Sequence, residues 1–319
     1  MAPKPIEAPV QMLIKHFYDP DSSTLSYVVA CDETRRCAII DPVLDFNYPS
    51  GTVNTDIADN LIAYVREMDL SVDFILETHV HADHLSSAPY IQQALGGKIA
   101  IGAMITSVQA TFAQIFNEGP DFARDGSQFD EVFADGDHFS VGNLKGVAIH
   151  VPGHTPACMA YLVEDALFVG DTLFMPDAGT ARCDFPGGDA HVLFQSIQRL
   201  LTLPGDTRIF VCHDYQPNDR SLAYETTVAQ QQSENIHIGG TTLESDFVHM
   251  RETRDKQLDM PSLILPALQI NMRAGLIPAA EEDGRVFLKI PLNGFGGDSL
   301  SKLPKEEPIG NPNLEQNPQ

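Results

Sequence analysis

The chain has 319 residues, of which 43% are hydrophobic and 20% are charged, and its formal net charge is −24. A chain of this length can bury one large core, alone or with an appendage. The negative charge repels nucleic acid and anionic membrane surfaces, so neither is expected as a partner.

The sequence favours a cytoplasmic, bacterial protein with free thiols. No apolar run reaches the roughly 18 residues of a membrane span. Residues 1–7 show neither the pattern of a signal peptide nor that of a transit peptide. The cysteines form no C-x-x-C pair and are expected to stay reduced in that compartment. They are Cys31, Cys37, Cys158, Cys183 and Cys212.

The N-terminal half alternates short strands with helices. Apolar runs rich in β-branched residues predict strands, and apolar residues at helical spacing predict helices. The predicted strands are 12–18, 25–31, 37–40, 72–77 and 98–101. The predicted helices are 57–68, 88–95 and 104–116, followed by a polar loop over 117–128.

The second half repeats this order, and its polar motifs again follow apolar strands. The predicted strands are 144–151, 159–163, 166–169 and 208–211, with a helix over 190–203. Two sets of strands with helices on their outer faces suggest a two-sheet sandwich.

We expect three parts in the chain. Residues 1–235 would form the catalytic domain. Residues 236–298 would form an appendage packed on it, with helices and a short strand near 287–290. Residues 299–319 are rich in proline and asparagine without periodicity, which predicts a disordered tail.

The segment from Thr78 to His84 is the most informative stretch for chemistry. It contains three histidines and an aspartate directly after a predicted strand. Imidazoles and carboxylates gathered in one place favour a bound cation. Further polar residues at strand ends complete a candidate set: His79, His81, Asp83, His84, His154, Asp171 and His213.

This set resembles the metallo-β-lactamase fold superfamily over roughly residues 11–235. The motifs are H-x-H-x-D-H from His79 to His84, a later histidine, an aspartate in the Gly170-Asp171-Thr172 context, and a final histidine. The resemblance implies an α/β fold, namely a four-layer αβ/βα sandwich with a C-terminal appendage and the site along one edge.

Three segments resemble the persulfide dioxygenases of that superfamily. Arg182-Cys183-Asp184-Phe185 looks like their Arg-Thr-Asp-Phe segment, with Cys183 in place of threonine. His213-Asp214-Tyr215 resembles their His-Asp-Tyr segment, where glyoxalase II usually has His-Glu-Tyr. Residues 175–217 and 265–271 look like the bacterial "β-lactamase-like hydrolase" subgroup.

The resemblance implies one Fe(II) held by His79, His154 and Asp171, a two-histidine, one-carboxylate triad with open positions. Such an enzyme would convert glutathione persulfide, O2 and water to glutathione and sulfite, in sulfide detoxification. No side chain is expected to act as a nucleophile. The remaining metal-ligating residues would orient the ligands and screen charge. They are His81, Asp83, His84 and His213.

Two other functions stay open. A glyoxalase II-like hydrolase of glutathione thioesters would use the same seven residues for two zinc ions or mixed metals. A metal-binding scaffold without turnover is the third class. The sequence does not show the oligomeric state, and a homodimer is compatible with it.

Residues beyond the ligands are candidates for substrate contacts. Arg182 would bind a glutathione carboxylate through its planar fork, or would pair with Asp184 instead. Tyr215 would contact the substrate or pack. Asp214 would support the site by orienting its loop or a metal ligand. His237 falls near a substrate-contacting position of the family, but it is expected to be a surface residue.

Overall fold

The computed structural model of the chain describes residues 11–297 and 299–303. Its strands are β1 (Met12–Asp19), β2 (Thr24–Cys31), β3 (Arg36–Ile40), β4 (Val43–Asn47), β5 (Thr52–Asn54), β6 (Ser71–Leu76), β7 (Leu85–Ser86), β8 (Lys98–Gly102), β9 (Glu131–Phe133), β10 (His138–Val141), β11 (Leu144–His150), β12 (Met159–Val163), β13 (Ala166–Phe168), β14 (Arg208–Phe210) and β15 (Glu225–Thr227). The first six-stranded sheet has the order β1-β2-β3-β6-β8-β9 and the second runs from β10 to β15 in order, while β5, β4 and β7 form a small third sheet.

Alternate side chains of strand β2 pack into two different hydrophobic cores. Successive side chains of a strand point to opposite faces of the sheet. Tyr27 and Val29 accordingly pack into the core between the two large sheets, against Phe168 and Phe210. Val28 packs into the other core, between the first sheet and its helices.

Helices cover the outer faces of both large sheets. They are α1 (Asp56–Glu67), α2 (Ala88–Leu95), α3 (Ile105–Ile115), α4 (Ala190–Leu200), α5 (Val228–Glu234), α6 (Glu244–Asp255) and α7 (Ile264–Asn271). Helices α1, α2, α3 and α7 share a core with the first sheet, and α4 and α6 pack with the second. The result is the four-layer αβ/βα sandwich that was expected.

The long predicted elements are confirmed to within about three residues at their ends. Several of the short strands were missed. Strands such as β15, with the sequence Glu-Thr-Thr, carry no apolar alternation that a pattern could detect.

The expected short strand at 287–290 is wrong, because these residues pair with no neighbouring strand. The side chain of Gln269 bonds to the backbone of this segment where a neighbouring strand would otherwise do so. Its amide donates to Lys289 O (2.9 Å) and accepts from Lys289 N (2.8 Å).

The rest of the appendage region consists mainly of α6 and α7 joined by turns. Of the tail expected over 299–319, residues 299–302 form a 3-10 turn, and residues 304–319 lie outside the described part.

None of the helices in the described part of the chain is long and apolar enough to cross a membrane.

Gly170 brings two of the polar loops together at one edge of the sandwich. Its φ of +50° lies in the left-handed region, which glycine adopts at little cost. A Cβ at this position would come within 2.6 Å of Thr78 Oγ1. Glycine therefore lets the loop that carries Asp171 approach the loop that carries His79.

Candidate metal centre

The structure brings His79, His154 and Asp171 into one buried group. Their ligand atoms all lie within 4.8 Å of one another. Asp171 Oδ2 is 3.6 Å from His154 Nε2 and 3.9 Å from His79 Nε2. These spacings let the three atoms face one ion.

Hydrogen bonds fix which nitrogen of each imidazole is free. The hydroxyl of Thr78 donates its one proton to Asp41 Oδ2 (2.9 Å), so it accepts from His79 Nδ1 (3.0 Å). His154 Nδ1 donates to the Arg182 carbonyl (2.7 Å). Both Nε2 atoms therefore carry a lone pair, and burial keeps the pKa of His79 well below its usual value.

Further ligand candidates lie beside this group, and Asp83 and His84 form a second group with His81. His213 Nε2 lies 3.2 Å from Asp171 Oδ1 and 3.4 Å from Asp83 Oδ2. His84 Nδ1 donates to Leu85 O (3.0 Å), which leaves its Nε2 without a partner among the described residues. Burial, together with His81, lowers the pKa of His84 to about 4.

His81 differs from the other histidines in what its Nε2 faces. That atom lies 3.0 Å from Asp41 Oδ1 and 3.6 Å from Glu77 Oε2. His81 does not belong to the group of His79, His154 and Asp171 but to one with Asp83 and His84, and its Nδ1 meets no hydrogen-bond partner in the described ranges. Burial opposes the charged imidazole, but the two carboxylates outweigh it and raise the pKa of His81 to about 9.

The donor set fits a metal ion. Buried polar atoms are normally satisfied, because an unpaired one costs about 1–3 kcal/mol. Here His79 Nε2, Asp171 Oδ1, His84 Nε2 and His213 Nε2 are buried without a hydrogen bond to any described residue. Bound cations would satisfy these atoms.

A cavity of about 430 Å³ opens onto this centre. Arg182 lines it, but its guanidinium donates to both carboxylate oxygens of Asp184 (2.6 and 2.7 Å) and to Asp259 O (2.6 Å). The Arg182 guanidinium is therefore paired with Asp184, and it has no free pair of N–H groups for a substrate carboxylate.

Arg254 of α6 also lines the cavity, and sequence reasoning missed it. It is exposed and makes no ion pair within the described part of the chain. Arg254 lies in a polar stretch typical of a solvent-exposed helix, so nothing in the local sequence marked it as a residue of the cavity.

Tyr215 and Asp214 occupy different environments although they are neighbours. The Tyr215 ring stacks on His213, with ring centroids 5.7 Å apart, and lines the cavity with 56% of its surface exposed. The buried Asp214 carboxylate accepts from Arg220 (2.6 and 2.7 Å) and from Ala223 N (2.7 Å). Asp214 therefore holds its own loop and does not face the centre.

His237 is buried, which corrects the expectation of a surface residue. Its Nδ1 accepts from Thr180 N (2.9 Å), which ties it to the loop that precedes Arg182. A histidine in an apparently polar turn gave no sign of this distant contact. The five cysteines are free thiols, as expected.

We expect the metal-free protein to lose stability as the pH rises from about 6.5 to 10. The pKa values of His81 and His213 are raised to about 9 and about 10. Both exceed the unfolded value near 6.5. The folded state then binds more protons than the unfolded state, so the stabilisation present below pH 6.5 is lost as pH passes the folded values.

Urea unfolding in EDTA across this range measures the effect, and the His81→Gln variant should show a shallower decline. A free energy of unfolding that increases from pH 7 to pH 10 would contradict this assignment.

Comparison with known proteins shows the family. A family model for the metallo-beta-lactamase superfamily matches residues 19–213. A probable metallo-hydrolase of Burkholderia pseudomallei is 52% identical over 89% of this chain and all of that relative. A beta-lactamase hydrolase-like protein of Xylella fastidiosa is 50% identical over 89% of this chain, which spans 65% of that relative.

Two named activities occur among the relatives. Glyoxylase B2 of Dictyostelium discoideum is 45% identical over 88% of this chain and 97% of its own. The mitochondrial persulfide dioxygenase ETHE1 of Bos taurus is 29% identical over 84% of this chain and 90% of its own.

The crystal structure of ETHE1 from Myxococcus xanthus is similar to the fold, with a TM-score of 0.66 and 28% identity over 83% of this chain and all of that one. Because the family model spans more than half of the sequence and the buried His/Asp centre lies within its match, the chain belongs to the metallo-beta-lactamase superfamily.

Proposed function

We propose that the protein is an Fe(II)-dependent persulfide dioxygenase. It would convert glutathione persulfide, O2 and water to glutathione, sulfite and two protons. The S–S bond breaks, the terminal sulfur is oxidised and dioxygen is reduced. The cellular role we propose is sulfide detoxification.

The observation that carries the proposal is the buried three-ligand group of His79, His154 and Asp171. Two histidines and one carboxylate are the ligand set of non-haem Fe(II) oxygenases. The persulfide dioxygenase relative and the Myxococcus xanthus structure support the same assignment.

Iron held by these residues would supply the redox chemistry toward O2 that zinc lacks. The protein's part is to set the ligands and the surroundings. Thr78 and the Arg182 carbonyl orient the two imidazoles. Phe174 and Phe185 form apolar walls of the cavity, which limit water around a reactive persulfide.

The substrate would lie in the cavity with a glutathione carboxylate near Arg254. The chain as a whole is strongly negative, so binding an anion requires a local free cation. Arg182 and Arg251 line the same cavity, but both are paired with aspartates. Arg254 is the cavity arginine that makes no ion pair within the described ranges.

Replacing Arg254 by glutamine is therefore expected to raise KM for glutathione persulfide about tenfold, because a hydrogen bond to a charged group contributes about 1.5–3 kcal/mol. Metal content should not change. The matched control is Arg66→Gln, an exposed arginine on α1 away from the cavity. Steady-state O2 uptake measures both, and equal KM values in the two variants would remove Arg254 from the substrate site.

Metal analysis of protein purified without added zinc tests the proposed function. About one iron per chain, with O2 consumed and sulfite formed from glutathione persulfide, is the expected result. Two zinc ions per chain and no O2 uptake would overturn it.

A dinuclear hydrolase of glutathione thioesters is the second candidate. His84 Nε2, which has no hydrogen-bond partner within the described ranges, favours it, as do the neighbouring Asp83 and His213, since these residues could hold a second ion. The glyoxylase B2 relative supports it as well. It predicts turnover of a glutathione thioester in the absence of O2.

A further inference from the structure

Two helices that lie beyond the matched family segment reach into the metal centre. The family model ends at residue 213, whereas α6 and α7 begin at Glu244 and Ile264. Side chains of both helices bind the backbone of loops that carry candidate ligands.

Asn271 of α7 holds the H-x-H-x-D-H loop. Its side-chain amide donates to His81 O (2.9 Å) and His84 O (2.8 Å), and its carbonyl accepts from Ser86 N (2.8 Å). The side chain is buried, so bulk water does not compete for these contacts. Three backbone groups around His84 thus depend on one amide that lies 187 residues further along the chain.

Arg251 and Asp255 of α6 hold the loop that orients His154. Arg251 donates to Thr180 O (3.0 Å), and Asp255 Oδ2 accepts from Cys183 N (2.9 Å). These two contacts flank Arg182, whose carbonyl accepts from His154 Nδ1. The two side chains pair with each other (2.7 Å) and are almost fully buried.

We propose that Asn271 and the Arg251–Asp255 pair are positioning residues of the metal centre, and that α6 and α7 are part of it. A shift of a ligand atom by a few tenths of an ångström weakens metal binding. Changing a residue that orients a ligand typically lowers metal affinity about 10–100-fold. The inference rests on the metal site of the proposed function and not on the reaction. In a one-iron site Asn271 acts through the loop that begins at His79, and in a two-metal site it acts directly on the position of His84.

Gln269 provides a matched control for Asn271. It lies on the same helix, is also buried, and also makes three hydrogen bonds to backbone groups. Its partners are Leu265 and Lys289, which are not part of the metal loops. Removing either amide should cost similar stability, so a difference in metal affinity isolates the positioning role.

The experiment compares Asn271→Ala with Gln269→Ala in the full-length, metal-free protein. Co²⁺ affinity is measured by competition with a chelator, and the visible absorption of bound Co²⁺ reports the ligand geometry. We expect Asn271→Ala to bind Co²⁺ about 10–100-fold more weakly, with an altered spectrum. Gln269→Ala should bind Co²⁺ with an affinity within about threefold of that of the unchanged protein. Its absorption spectrum should be unchanged.

Equal affinity and an unchanged spectrum in Asn271→Ala, or the same loss in both variants, would overturn the proposal. Arg251→Lys tests the α6 contact with less risk to folding, because lysine keeps a cation beside Asp255. It should weaken Co²⁺ binding more than Arg273→Lys, which changes the partner of Glu118. None of these measurements uses O2 or a persulfide, so a missing dioxygenase activity would leave their outcome intact.

Discussion

The Asp171→Ala variant is expected to fold but to lose its iron and all detectable O2 uptake. Asp171 is the one carboxylate of the three-ligand group, and its oxygens lie 3.2–3.9 Å from three imidazole nitrogens. Without it, histidines alone would face the ion, and the neutralising charge would be gone. Iron per chain should fall from about one to below a tenth, a change of roughly a hundredfold in the ratio of filled to empty sites, which corresponds to about 2.7 kcal/mol of lost binding free energy.

Asp177→Ala is the control for this change. Asp177 is an exposed aspartate six positions away that pairs with Arg220 (2.6 Å). Its removal should leave iron content and O2 uptake near their original values. Full iron occupancy in Asp171→Ala would show that the metal is held by other residues, such as Asp83, His84 and His213.

The Asp41→Ala variant is expected to lose about 3–5 kcal/mol of unfolding free energy, because a buried charge is left without its partner. Asp41 is almost fully buried and accepts from Thr78 N (2.7 Å), Thr78 Oγ1 (2.9 Å) and His81 Nε2 (3.0 Å). The same change frees the Thr78 hydroxyl, which orients His79. Urea unfolding in the presence of EDTA measures the loss without a contribution from bound metal.

Asp45→Ala makes a suitable comparison for Asp41→Ala. Asp45 lies four residues along the chain, and its side chain accepts one backbone hydrogen bond, from Ile57 N (3.1 Å). We expect this variant to lose about 1 kcal/mol. If Asp41→Ala cost no more than Asp45→Ala, Asp41 would have no special part in holding the loop.

The long elements and the ligand candidates were accessible from local pattern. The strand β6 is an apolar run, and His79 to His84 follow it directly, so their position at a strand end could be predicted. Asp171 and His213 follow β13 and β14 in the same way. Local pattern suffices here because side-chain alternation and strand length are properties of a few neighbouring residues.

The partners of these residues were not accessible in this way. Asp41 ends β3 just as the ligands end their strands, but it bears on the centre only because β3 and β6 are parallel neighbours. Arg182 could be assigned either to a substrate carboxylate or to Asp184, and side-chain geometry selects Asp184. His237 looked like a surface residue until the fold placed it against Thr180.

The sequence by itself determined the sandwich, its main strands and helices, and the seven residues that could bind metal. The strands and helices follow from periodicity, four of the seven residues from crowding in one short segment, and the other three from their places at strand ends. The four-layer arrangement follows from the family resemblance. Only the tertiary structure decided that His79, His154 and Asp171 share one group while His81 faces Asp41 and Glu77. It alone brought Asn271, Arg251 and Arg254 to the centre, because contacts between residues far apart in the chain depend on how the layers pack and leave no local pattern.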